Sequence, residues 1–164
     1  MKKQIIKTIG VGAVAVVALA VFAQVWVSGQ VQKSERGLSG SWDVQVTPRN
    51  CETGMPLPVP VFPAHMTYEQ DGTMQETDLG PPGTIRLPGH GIWGHQIARQ
   101  YSAAFRYLRF APDRTFIGTN VIRSSITVSL GGNEYTSTDA VEIRDSNGTL
   151  TMTGCATQTA TRFE

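Results

Sequence analysis

The chain has 164 residues, 40% of them hydrophobic and 16% charged, which bounds a single folded domain and excludes a disordered polypeptide. Lys+Arg 14 against Asp+Glu 13 gives a net charge of +1; a nucleic-acid partner, which needs a concentrated basic face, is not expected. Lys2, Lys3 and Lys7 account for three of the 14 basic residues, so the rest of the chain holds 11 against 13 acidic, a net of −2.

Residues 1–29 read as a signal peptide or an N-terminal anchor. The three lysines precede an uncharged apolar run over 9–23, and Ala23 or Gly29 supplies a small residue for cleavage. Read on to Val27, the same run is 19 residues long and becomes an uncleaved apolar helix, the membrane contact then being confined to residues 9–27. Both readings place the body outside the cytoplasm, periplasmic or secreted in the first case and tethered in the second.

Residues 30–38 are polar and aperiodic, a linker. From 39 to 164 the pattern is period two, punctuated by Gly, Pro, Asn and Asp, which predicts antiparallel strands and no helix. Strands are expected over 40–47, 61–69, 73–79, 92–98, 100–110, 115–130, 133–144 and 149–157, the last with room to continue to Phe163. A proline-rich loop fills 52–60, a Gly/Pro loop fills 80–91, and Asp71-Gly72 and Asn147-Gly148 mark tight turns. The expected fold is therefore all-β, a single up-and-down barrel of about eight strands, because closure removes exposed edges.

Cys51 and Cys155 are the only two cysteines. In an exported protein they are expected to form a disulfide rather than two buried thiols. Neither has a second Cys or a His at ligand spacing, so no metal site is expected. Opposing the two cysteines across a seam between first and last strands would put Val44 opposite Arg162, with Pro48 as the place where the register is open to change.

Gly40-Ser41-Trp42 at the start of the first strand resembles the Gly-x-Trp signature of lipocalins and the wider calycin group. That resemblance implies a lipocalin-like barrel whose floor is closed by Trp42 under a basic residue, here Arg162. Residues 39–164 are also similar to a set of uncharacterised small exported bacterial proteins, through Arg49-Asn50-Cys51-Glu52-Thr53-Gly54, Pro88-Gly89-His90-Gly91-Ile92-Trp93 and Thr153-Gly154-Cys155. It implies an architecture and an address, and carries over no catalytic residue.

The chemistry-bearing candidates follow from the strands. Residues 89–95, Gly-His-Gly-Ile-Trp-Gly-His, put His90, His95 and Trp93 near a barrel mouth. The odd spacing of the two histidines sends them to opposite faces of a strand, against a joint metal site. His65 has apolar neighbours, yet reads as a strand histidine rather than a haem ligand. Tyr101, Phe105 and Tyr107 are mixed with Arg99, Arg106 and Arg109 along one strand, giving either a ligand-binding wall or an ordinary core face with snorkelling arginines outside. Carboxylates, Glu76 among them, are scattered without glycosidase spacing, and neither a nucleophile elbow nor a phosphate loop is present. The expected function is binding of a small, partly apolar molecule by Trp93, His90, Tyr101, Phe105 and Tyr107, with no cofactor. The alternatives are an envelope or surface interaction module, with Trp42 and Trp93 plugging the barrel, and an isomerase or hydrolase using His90 or His95.

Overall fold

The computed structural model describes residues 37–80 and 83–163. The expected leader or anchor, its apolar helix and most of the linker lie outside the described residues, which contain no helix. Nine strands follow in order: β1 Gly40–Arg49, β2 Phe62–Tyr68, β3 Thr73–Asp78, β4 Ile85–Arg86, β5 Gly89–Ile97, β6 Gln100–Phe110, β7 Phe116–Val128, β8 Glu134–Arg144 and β9 Leu150–Arg162. All pairings are antiparallel. Eight strands close on themselves, because β6 pairs with both β5 and β7, while the two-residue β4 adds to the end of β6. The barrel and its strand limits match the expectation to within a few residues, save over 80–91.

Alternation sets the inside. Trp42, Val44 and Val46 of β1 are buried, and the Ser41, Asp43 and Gln45 between them face solvent. The same period runs through β7, where Asn120, Ile122, Ser124, Ile126 and Val128 point inward. Each fully buried aliphatic or aromatic side chain contributes roughly 1.5–3 kcal/mol, so these inward rows decide the register.

Residues 80–91 are not simply a loop. Ile85 and Arg86 pair with Phe110 and Arg109, and from His90 onward β5 pairs with β6 in a register shifted by one. β4 is therefore an upstream continuation of β5, broken at Leu87-Pro88, where proline has no N–H for the ladder. The break leaves Arg86 as part of the barrel wall.

The first and last strands do form the seam, but two residues out of the expected register. Trp42 stands opposite Arg162, and Arg49 opposite Cys155. Cys51 lies in the turn beyond β1 and reaches back to Cys155 with Cα atoms 5.2 Å apart. Pro48 stays in the strand without a bulge. Its carbonyl accepts from Leu57 N at 2.9 Å, on the side away from β9, and the β1–β2 ladder has already ended at Val46. The missing N–H on that side removes no ladder bond. The disulfide is a bond of an oxidising compartment.

Replacing both cysteines by alanine opens a loop spanning a sequence separation of 104. The chain-entropy description puts the loss at up to about 4–5 kcal/mol. Urea titration of the oxidised protein and the Cys51→Ala/Cys155→Ala variant checks this; equal midpoints would show that the seam holds without the bond.

Candidate functional site

The two ends of the barrel differ. At the end where β1 begins, an aromatic stack fills the interior. Trp42 is fully buried, its Nε1 donates to Leu38 O at 2.9 Å, and the Arg162 guanidinium lies 4.2 Å from its ring centroid. Arg162 donates further to the carbonyls of Gly37, Ser39 and Gly132. Trp42 meets Tyr135 edge-on at 4.9 Å, Tyr135 meets Tyr68 at 6.2 Å, and Tyr68 meets Trp93 at 6.0 Å. Burial raises the Tyr68 and Tyr135 hydroxyls well above the usual phenol range, so both stay neutral donors.

At the other end the barrel is hollow. A cavity of about 590 Å³ runs from the disulfide and the loop after β1 down to Met66 and Gln158. Its apolar lining includes Val46, Phe62, Met66, Phe105, Ile122 and Val141. Two glycines of β5 let the neighbouring wall pack closely against its backbone. A Cβ on Gly89 would lie 2.7 Å from Glu76 Oε2 and 3.0 Å from Phe105 Cδ2, and one on Gly91 would overlap the Ala104 carbonyl and the Phe105 backbone. The rim is apolar as well, with Met55, Leu57, Val61, Leu79, Leu87 and Met152 exposed. A larger depression of about 810 Å³ crosses the outside of β6–β8 over Ala104, Ser125, Thr138 and Ala140, side chains that point away from the lumen.

Polar groups converge on the lumen wall. The Arg86 guanidinium, only 3% exposed, binds Glu76 through Nη2 and lies 2.6 Å from Asp78 Oδ2 through Nη1. Its carbon lies 3.5 Å from the centroid of the Tyr107 ring, whose hydroxyl accepts from Asn120 Nδ2 at 2.6 Å. Burial pushes the Glu76 carboxyl up to about 7, against the pull of Arg86, and the neighbouring Asp78 adds to the rise. One cation facing two carboxylates leaves an unbalanced negative charge that a proton removes. Burial also raises the Tyr107 hydroxyl. Across the lumen, Asp139 is buried on β8 and accepts from Ser137 Oγ at 2.8 Å. Burial raises its carboxyl too, while Ser124, Ser137 and Gln158 pull it down.

Of the five expected binding residues, Phe105 and Tyr107 line the lumen. Trp93 and Tyr101 pack together at the closed end, 5.9 Å apart, with Trp93 Nε1 donating to Glu69 O. His90 is exposed and pairs with Arg106 on the outer surface, whereas the neighbouring Gly91 pairs with the inward Phe105. His95 lies against Tyr101 at 5.1 Å and bonds Ala98 O, on the opposite face of β5 from His90. His65 is outside, beside Asp43 at 2.9 Å. Sequence reasoning missed Asp78, Arg86, Asn120, Asp139 and Gln158, and met Glu76 only as one of the scattered carboxylates. The signal for Glu76 and Asp78 was the parity of Met74; nothing local marked Arg86.

No protein-family model and no curated protein sequence matches this chain.

A carboxyl whose folded-state pKa stands above its unfolded value stabilises fully below the unfolded pKa and loses that contribution as pH rises through the folded one. For Glu76 the window runs from its ordinary 4.5 to about 7. Over it the protein is expected to lose at most about 3 kcal/mol, and Glu76→Gln is expected to flatten the decline. Urea midpoints measured across that window decide it; equal slopes for both proteins would remove Glu76 as the cause.

Proposed function

We propose that this chain is an exported, lipocalin-like barrel that holds one small, partly apolar molecule in its lumen. The carrying observation is the cavity of about 590 Å³, left unfilled by side chains and mixed in its lining. That volume lies in the range of sites that enclose a drug-sized ligand. The ligand's apolar part rests on Phe62, Met66, Phe105 and Ile122, and polar groups from β3, β4, β6 and β8 fix its orientation. The exposed apolar rim offers a path for such a molecule into the mouth.

Two further features support the reading. Trp42 under Arg162 is the arrangement that the Gly40-Ser41-Trp42 resemblance implies, and the plugged floor makes the lumen a blind pocket rather than a channel. The disulfide agrees with a periplasmic or secreted address. Trp42 and Trp93 fill only the closed end, which favours a carrier over an interaction module without a ligand.

The test is binding of N-phenyl-1-naphthylamine, a neutral apolar fluorophore. One molecule per barrel is expected. Val141→Trp, which fills the lumen from β8, should weaken binding by at least about tenfold, or 1.4 kcal/mol, while the outward Ile92→Ser change leaves it unaltered. Equal affinity in wild type and Val141→Trp would place the dye elsewhere and sink the proposal.

A further inference from the structure

The lumen wall is charged asymmetrically. Among the described residues that line it, Glu76, Asp78 and Asp139 present carboxyl groups on the inner wall, Glu52 adds an exposed one at the mouth, and Arg86 is the guanidinium that faces the inner ones. Arg49 borders the mouth, but its Nε donates to Thr157 Oγ1 and its Nη1 to Gly54 O. Arg86 serves the two carboxyls of β3 and reaches no third. Asp139, on the wall formed by β8, is left to hydroxyl and amide neighbours.

Asp139 is 5% exposed. Its Oδ1 accepts from Ser137, and its Oδ2, with Ser124 and Gln158 as its polar neighbours, is met by no donor at hydrogen-bonding geometry. Leaving a buried acceptor unpaired costs about 1–3 kcal/mol, and more for a charged one. A ligand that brings a donor and a positive charge to this wall recovers that loss; a ligand that brings a negative charge adds to it. Opposite charges attract far more strongly in a water-poor lumen than in bulk solvent. Apolar surface adjoins the carboxyl, with Phe105, Ile122 and Val141 lining the same cavity.

We infer that the lumen selects a cationic amphiphile: a small molecule with an apolar body and a protonated amine, the ammonium group seated against Asp139 and the body on Phe62, Met66, Phe105 and Ile122. The inference rests on the lumen being the binding site, and it names the class of ligand. Glu76 and Asp78 add to the preference, because together with Arg86 they carry a net negative charge when both are ionised. A fatty acid of the same length meets the reverse field and is disfavoured.

Three probes share one eight-carbon body and differ in headgroup: octylamine, 1-octanol and octanoate. Each is titrated calorimetrically into the oxidised full chain at pH 8, where the amine is protonated. Octylamine is expected to bind at least tenfold tighter than 1-octanol, and octanoate more weakly than both. Asp139→Asn should bring octylamine to within about twofold of 1-octanol and leave 1-octanol unchanged. Octylamine no tighter than 1-octanol in the wild type overturns the inference while leaving the lumen as a binding site. A tenfold preference that survives Asp139→Asn overturns it equally. Absence of binding by all three probes overturns both this inference and the carrier reading.

Discussion

One guanidinium secures the closed end of the barrel. Arg162, near the end of the last strand, covers the ring of Trp42, near the start of the first, and ties down the carbonyls of Gly37, Ser39 and Gly132. It thereby joins the entering segment, the seam and the β7–β8 turn in one contact. Charge-assisted hydrogen bonds of this kind contribute about 1.5–3 kcal/mol each, and the cation over the indole adds about 0.5–2 kcal/mol. The aromatic stack fills this end, and the lumen lies towards the other. The lumen, its apolar rim and its buried charges are consequences of that asymmetry.

Burying Glu76, Asp78, Arg86 and Asp139 is a poor way to stabilise a barrel. A buried ion pair often breaks even against apolar side chains of the same volume, because desolvation offsets attraction. Here the arrangement is worse than even, with more carboxyls than cations and an unpaired Asp139 oxygen. Such features weaken a structural plug and suit a site that binds something.

The barrel was legible because its signal is repeated along every strand. Inward rows such as Trp42-Val44-Val46 fix a period of two, and turn dipeptides punctuate it. The seam was legible from the cysteine pair, though not its register. Cys51 lies beyond the strand end, so the two cysteines are not opposite one another, and the strands slide by two residues. The site was less legible. Phe105 and Tyr107 were found by alternation, but His90 drew attention by composition and faces solvent. Arg86 was hidden by Pro88, which made a short wall strand look like loop. Asp139 was hidden because a carboxylate at an inward position contradicts the core rule that the reading relies on. Local pattern reports what stabilises the fold, and the lumen's charges do not.

Binding inside the barrel requires a floor that is filled and a lumen that is not. Methyl NMR of the oxidised protein, titrated with N-phenyl-1-naphthylamine, tests both halves at once. The methyl signals of Met66, Ile122 and Val141 in the lumen are predicted to shift in a saturable, one-to-one manner. Those of Val44, Ile126 and Val128 at the closed end are predicted to stay in place. Shifts confined to outer-surface residues such as Ile92 and Leu130, or no saturable shift in the lumen, would contradict it.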